Sequence, residues 1–137
     1  MKSDSKLLEK ELSDNIYGIF LNIGQEFGCH FKEEVYLKAC EVELIASNIQ
    51  FVIKPEIKII SLTNKKKVGV FIPDIIVEDK IIVEIKVQKC LMESSLDQLI
   101  KYLEKSKYEI GYLVNFGTSY TQIIRRIYTN NRKKLPF

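Results

Sequence analysis

Apolar residues recur at intervals of three and four along the first part of the chain, a spacing that predicts amphipathic helices. The first helix is predicted from about Leu7 to Phe27, and Gly28 follows it as a candidate C-cap. A second helix is predicted from Phe31 to Ser47, and Asn48 marks its end. Two consecutive helices are therefore the first elements of the fold.

The pattern then changes to nearly continuous runs of β-branched residues, which predict strands. The first run extends from Phe51 to Leu62, and the polar residues Thr63-Asn64-Lys65 form a predicted turn. Two further strands, Val68 to Val77 and Ile81 to Gln88, are joined around Glu78-Asp79-Lys80. Three successive strands thus follow the helices.

The remaining pattern predicts a helix from Glu93 to Lys105 and a strand from Glu109 to Asn115. A last helix, capped by Thr118 or Ser119, would continue through Arg126. The order α-α-β-β-β-α-β-α predicts an α/β fold in which helices flank a central four-stranded mixed sheet. Residues 1–128 are expected to form one domain, and residues 129–137 a basic tail with little to pack on.

Composition agrees with one globular domain, since 46% of the 137 residues are hydrophobic and 28% are charged. The three cysteines, Cys29, Cys40 and Cys90, form no CxxC pair, and an odd number favours free thiols in a reducing compartment. No signal-peptide pattern and no apolar run of membrane-spanning length is present. A cytoplasmic protein without membrane contact is expected.

The net charge of +3 permits nucleic-acid binding without requiring it, because local clustering decides the electrostatic footprint. One basic cluster is Lys65-Lys66-Lys67. The other is the C-terminal set Arg125, Arg126, Arg132, Lys133 and Lys134. Either cluster is significant for phosphate binding only if it flanks a site identified on other grounds.

The segment from Pro73 to Lys86 carries the candidate chemistry. Side chains alternate along a strand, so Glu84 and Lys86 share one face. If a three-residue loop centred on Asp79 joins the two strands, Asp74 lies opposite Glu84. A loop of two or four residues would instead place Asp74 across from Ile85. We assume the odd loop, although the sequence leaves both registers open.

Two carboxylates at so short a distance repel one another unless a cation lies between them. Mg²⁺ and Mn²⁺ favour oxygen ligands, and a lysine two residues on offers positive charge to a phosphate. The alternative is that Asp74, Glu84 and Lys86 form the solvated face of a half-buried sheet. The apolar residues around them favour the site, because charges are rare in strands covered on both faces.

Two helical residues extend this set. Glu33 shares a stripe with apolar residues of the second helix, although a first-turn acid favoured by the helix dipole is the simpler explanation. Gln98 lies beside the apolar stripe of the third helix, where its amide could hold a water or a phosphate oxygen or be merely solvated.

Five blocks, in this order, resemble the GxxExxY protein family of the PD-(D/E)XK nuclease-like superfamily. They are residues 28–36 (GCHFKEEVY), 73–74 (PD), 84–86 (EIK), 97–103 (DQLIKYL) and 111–117 (GYLVNFG). The resemblance extends from about Leu7 to Arg126. It implies a restriction-endonuclease-like core.

The resemblance also implies roles for individual residues. Asp74 and Glu84 would bind Mg²⁺ or Mn²⁺, with Glu33 and the backbone at Ile85 as further ligands, and Lys86 would be the catalytic lysine. Gln98 matches the family's glutamine on the crossover helix, and Arg125 or Arg126 matches a basic position after the NFG block.

Three positions depart from the family pattern. His30 replaces a glycine, Ser95 stands where histidine is frequent, and Lys101 replaces a frequent asparagine. The change at Ser95 puts an auxiliary acid-base role at that position in doubt.

The leading functional prediction is a metal-dependent nuclease that acts on nucleic acid, preferably DNA. A catalytically silent or partner-dependent nucleic-acid-binding module on the same fold is the main alternative. A structural protein whose acidic pair is merely on the surface is the third. A homodimer and a targeting protein partner are compatible with each.

Overall fold

The structure, a computed structural model, describes residues 8–136. Its three α-helices match the first three predicted helices. They are α1 (Lys10–Phe27), α2 (Glu33–Ala46) and α3 (Glu93–Glu104). Leu7, the predicted first residue of α1, lies outside the described residues. Gly28 ends α1 as predicted, with φ at 71° and its N–H donating to the Gly24 carbonyl.

The described chain forms seven strands. They are β1 (Phe51–Ile53), β2 (Ile57–Ile60), β3 (Lys67–Phe71), β4 (Ile75–Val77), β5 (Ile81–Lys86), β6 (Ile110–Asn115) and β7 (Gln122–Ile127). Five of them form one sheet in the order β1-β4-β5-β6-β7, while β2 and β3 form a separate hairpin. Only β5 and β6 are parallel, and α3 connects them. The predicted α/β fold with a mixed sheet is confirmed, but the sheet has five strands rather than four.

Two long predicted strands are each interrupted at a proline. The run Phe51–Leu62 divides into β1 and β2 around Pro55, and the run Val68–Val77 divides into β3 and β4 around Pro73. Proline has no N–H to donate to a ladder, and Lys54, just before Pro55, takes a left-handed φ of 50°. The chain therefore leaves the main sheet at Lys54 and returns to it at Asp74.

The predicted last helix is wrong, because residues 122–127 form β7, antiparallel to β6. Ile123, Ile124 and Ile127 are β-branched, and pairing with β6 covers an edge that would otherwise be open. The described part of the predicted loose tail also differs from expectation. Lys133 Nζ donates to the carbonyls of Ser106 and Tyr108, at 2.9 and 2.7 Å.

The sheet carries a hydrophobic core on each face. One core packs α1 and α2 against alternate strand residues such as Val83 and Ile85. The other packs α3 and Phe71 against the opposite alternation, which includes Ile82 and Leu113. Glu84 therefore points to the face that α3 and the β2–β3 hairpin cover. Within residues 8–136, no helix is both long and apolar enough to cross a bilayer.

Candidate metal centre

The register of the β4–β5 hairpin decides where Asp74 lies. Ile75 pairs with Val83 and Val77 with Ile81, so residues 78–80 form a three-residue loop. Glu78 and Asp79 take left-handed φ values of 53° and 52°, which close this loop. The predicted odd register is confirmed, and its continuation by one residue places Asp74 opposite Glu84.

Asp74 is half-buried just before β4, and its carboxylate is engaged on both oxygens. Oδ2 accepts a hydrogen bond of 2.7 Å from the backbone N–H of Ile85. Oδ1 lies 3.5 Å from Nζ of Lys54, whose backbone N–H also donates to the Asp74 carbonyl at 2.9 Å. The aspartate is thus held at the point where β4, β5 and the base of the β2–β3 hairpin meet.

Glu84 is the buried acid of the site, with 8% of its surface exposed. Its Oε2 atom is buried without a hydrogen-bond partner among the described residues. Burial first, and then the charge of Asp74, raise the pKa of Glu84 to about 8, against the opposing effect of Lys86. The site thus contains an acceptor that the protein leaves unsatisfied and a carboxyl whose ionisation is disfavoured.

Glu33, the first residue of α2, completes the acidic group. Burial of its carboxyl and then the charge of Asp74 raise the pKa of Glu33, while Lys86 and Lys54 lower it. The charge of Glu33 in turn acts on Glu84. The structure therefore brings Glu33, Asp74, Glu84 and Lys86 into one electrostatic cluster.

Tyr36 holds the loop that leads into Glu33. Its hydroxyl donates to the carbonyl of Gly28 and accepts from the N–H of Phe31. Its ring is fully buried and stacks on Phe116, with centroids 4.5 Å apart. Tyr36 therefore fixes the entry to α2 rather than facing the carboxylates.

The end of β5 is held in place by Asn115. Oδ1 of this fully buried side chain accepts from the N–H groups of Gln88 and Gly117, at 2.9 and 3.0 Å. Nδ2 donates to the Gln88 carbonyl at 2.9 Å and to Oε1 of Gln122 at 2.7 Å. Phe116 N–H donates to the Lys86 carbonyl at 2.9 Å. These bonds fix the backbone on which Lys86 stands.

The remaining predicted residues lie less close to the carboxylates. Gln98 is exposed on α3, and its side chain forms no hydrogen bond to any described residue. One turn further along α3, Tyr102 stacks on Phe71, and its pKa is raised by burial and by the charges of Glu84 and Asp74. Arg125 instead reaches the start of α1, where it donates to the Leu8 carbonyl at 2.7 Å.

A divalent cation fits the donors of this cluster on chemical grounds. The orphaned Oε2 of Glu84 and the mutual repulsion of Glu84 and Asp74 are both relieved by a positive ion. In residues 8–136 no three His, Cys, Asp or Glu side chains form a group that could hold a metal by themselves. Mg²⁺ suits such a site, since it is commonly held by one or two carboxylates together with water and substrate phosphate.

Sequence comparison agrees with this geometry. Residues 10–127 match the PD-(D/E)XK nuclease superfamily. The chain belongs to this superfamily. The narrower resemblance to GxxExxY proteins remains a prediction. No curated protein and no solved structure shows significant similarity to the chain.

Three residues in or beside the acidic cluster were not singled out by sequence reasoning. Lys54 had no signal, because its contact with Asp74 joins residues far apart in the chain. Tyr102 is four residues after Gln98, so helical spacing could have placed the two on the same side. Asn115 interrupts an apolar strand just before Gly117, and a lone buried amide is a recognisable sign of a hydrogen-bond network.

Proposed function

We propose that this protein is a metal-dependent nuclease that hydrolyses phosphodiester bonds, with DNA as its substrate. The observation that supports this most strongly is Glu84, a buried acid with an unsatisfied oxygen opposite Asp74. Two carboxylates this close can both be charged only at a cost in free energy, which a cation between them removes. Membership of the nuclease superfamily supports the same conclusion.

In this proposal Asp74 and Glu84 hold Mg²⁺ or Mn²⁺, with Glu33 and the backbone carbonyl of Ile85 as further ligands. A bound divalent ion supplies Lewis acidity toward water and neutralises phosphate charge. The Lys86 ammonium adds a fixed positive charge for the phosphate oxygens that gain charge in the reaction. In the same proposal Gln98 and Tyr102, one turn apart on α3, would orient the substrate.

The experiment compares cleavage of labelled single- and double-stranded DNA by the wild type, Asp74→Asn and Asp79→Asn, in Mg²⁺, Mn²⁺ or EDTA. We expect metal-dependent products from the wild type and at least about a 10²-fold loss in Asp74→Asn, since a metal ligand is removed. Asp79→Asn is the matched control, because Asp79 lies in the turn at the opposite end of the same hairpin. Equal cleavage by Asp74→Asn and the wild type would reject the assignment.

One observation favours a second candidate, a nucleic-acid-binding module that cleaves only with a partner or not at all. Among the described residues, the acidic side chains alone do not supply enough ligands to hold a metal ion. Salt-sensitive DNA binding without products in any metal would favour this module. Within either proposal the protein acts in the cytoplasm, where the free thiols Cys29, Cys40 and Cys90 stay reduced.

A further inference from the structure

We infer that the β2–β3 hairpin is an arm that binds the phosphate backbone of the nucleic acid beside the metal centre. This inference rests on the proposed function for the identity of its ligand. It concerns a surface that contributes none of the carboxylates, so it is testable without cleavage.

The charge of the hairpin is the first observation. Residues 57–72 contain four lysines and no acid, hence +4, while the whole chain carries +3, so all other residues together carry −1. The four lysines, Lys58, Lys65, Lys66 and Lys67, are exposed and form no ion pair with any described residue. The hairpin is therefore one of two basic segments of the chain without an acid, the other being the C-terminal set, and within residues 8–136 its lysines are not neutralised by ion pairs.

The second observation is that the hairpin begins and ends at the candidate metal centre. Lys54 precedes β2, Asp74 follows β3, and their side chains meet at 3.5 Å. From this base β2 extends over four residues, or about 13 Å, which equals the axial rise of about four base pairs. The hairpin is therefore next to the point where a nucleic acid would meet Asp74 in the proposed function.

The two faces of the hairpin differ in what covers them. On the inner face Phe71 is buried and stacks on Tyr102, with ring centroids 4.0 Å apart. On the outer face Val68, Val70 and Ile72 are exposed by 69%, 39% and 47%. Aliphatic side chains between lysines give a surface that contacts sugars and base edges while the ammonium groups reach phosphates. A two-stranded ribbon is also an element that the major groove admits.

The turn that carries three of the lysines is tied in place. Ser61 N–H donates to the Lys66 carbonyl at 2.8 Å, and Lys65 N–H donates to the Ser61 carbonyl at 2.9 Å. The Ser61 hydroxyl accepts from the N–H of Asn64 at 3.2 Å. The lysines therefore project from a defined turn, which lowers the entropy lost when they bind phosphates.

Charge also decides between nucleic acid and a second copy of the chain. A symmetric contact between two hairpins would bring +4 against +4 without compensating acids. A polyanion meets the same surface with complementary charge and releases its counterions on binding. The exposed valines are thus assigned to nucleic-acid contact rather than to a dimer interface.

The test measures binding of a fluorescein-labelled 20-base-pair DNA by anisotropy in EDTA, where no metal-dependent cleavage occurs. The variant Lys65→Gln/Lys66→Gln/Lys67→Gln is compared with Lys10→Gln/Lys80→Gln/Lys107→Gln. The control loses the same charge from residues linked to Asp14, Glu9 and Asp79, and the last two of these pairs lie at the opposite end of the sheet. All six lysines are exposed, so both variants should fold.

We expect the hairpin variant to bind about 10-fold more weakly at 0.1 M salt, with the slope of log K against log salt reduced by about 2 to 3. The control variant should stay within about 2-fold of the wild type. Equal weakening in both variants would overturn the inference, since it would show only an effect of net charge. An unchanged affinity in the hairpin variant would overturn it as well.

Two parallel measurements separate the other partners. Sedimentation that shows a dimer in the wild type and the control but not in the hairpin variant would overturn the nucleic-acid assignment. Binding of the wild type to anionic vesicles that the hairpin variant loses, while DNA binding is unchanged, would overturn it as well. Cleavage in Mn²⁺ is followed independently. Hairpin-dependent binding without cleavage would reject the nuclease and retain the arm, whereas cleavage with hairpin-independent binding would retain the nuclease and reject the arm.

Discussion

The surroundings of Glu84 disfavour the ionised form of its carboxyl. The residue lies on a central strand between buried isoleucines and valines, and Asp74 faces it across the hairpin. Burial and that neighbouring charge raise its pKa from 4.5 to about 8. In the folded state without metal, Glu84 therefore binds a proton more tightly than in the unfolded chain, and stability depends on pH.

The sign of this dependence gives a prediction for Glu84→Gln in EDTA. The protonated acid contributes its stability fully below about pH 4.5, and this contribution is lost as pH rises to about 8. Glutamine stays neutral, so at pH 9 the variant should be more stable than the wild type by about 5 kcal/mol, and at pH 4 the two should be equal. Urea unfolding at both pH values measures the difference.

Glu104→Gln is the control for this effect. Glu104 is paired with Lys101 at 2.9 Å on the surface of α3, and this partner lowers its pKa. Removing its charge should change stability by less than about 1 kcal/mol, without a gain at high pH. A wild-type free energy of unfolding that is as high at pH 9 as that of Glu84→Gln would contradict the assigned environment of Glu84.

Lys54, together with Lys86, offsets the charge of the acidic cluster in the absence of metal. Its ammonium lies 3.5 Å from Asp74 and lowers the pKa values of Glu33 and Glu84. A cation at the carboxylates must therefore bind against this positive charge. We expect Lys54→Gln to bind Mn²⁺ several-fold more tightly than the wild type in calorimetric titration. Lys80→Gln, at the opposite end of the sheet, should leave the affinity unchanged, and a weaker affinity in Lys54→Gln would oppose this account.

At the scale of elements, the junction after β5 depends on the close approach of two backbones. A Cβ added to Gly117 would lie 2.8 Å from the carbonyl carbon of Gln88 and closer still to its N and O. Asn115 binds both segments at the same point. Because the obstacle is backbone that Asn115 holds, neither side can move away without losing buried hydrogen bonds.

Gly117→Ala should therefore destabilise the protein by about 2 to 4 kcal/mol, whereas Gly18→Ala should stabilise it by about 0.5 to 1 kcal/mol. Gly18 lies within α1 with nothing within 4 Å of the added Cβ, so only the higher helix propensity of alanine acts there. Thermal unfolding of the two variants gives the comparison. Equal effects of the same sign would show that the β5–β6 junction is not tightly packed.

The helices and the strands differ in how far the local sequence pattern determines them. The helices α1, α2 and α3 were predicted within a few residues because their apolar periodicity persists over several turns. The segment that became β7 is short, and its pairing with β6 was decided by a partner elsewhere in the chain. Pro55 and Pro73 were visible signals that the predicted long strands end, yet the direction in which the chain leaves the sheet was not encoded locally.

At the scale of the whole molecule, Cys40 is packed inside the core between α2 and the sheet. This thiol is fully buried, and burial, followed by the charge of Asp74, raises its pKa to about 12. Cys29 is half-buried and Cys90 exposed. The reactivity of Cys40 should therefore report unfolding of the entire domain rather than a local opening.

A variant with Cys29→Ser and Cys90→Ala leaves Cys40 as the single thiol. We expect it to react with a thiol reagent at pH 8 only when the domain unfolds, so its labelling in urea should follow the unfolding curve from circular dichroism. A variant that retains only Cys90 should react at once in the native state. Rapid labelling of Cys40 without urea would contradict cooperative unfolding of the whole domain.

The sequence by itself determined the helices α1, α2 and α3 and the faces of the strands. Alternation along β5 placed Glu84 and Lys86 together, because the period of a strand is a local property. The register that aligns Asp74 with Glu84 was decided by the structure, because the sequence left the loop length open. Only the tertiary structure brought Lys54 to Asp74, separated the β2–β3 hairpin from the sheet and formed β7. These features depend on contacts between distant segments, whose free energy arises only when the whole chain is packed.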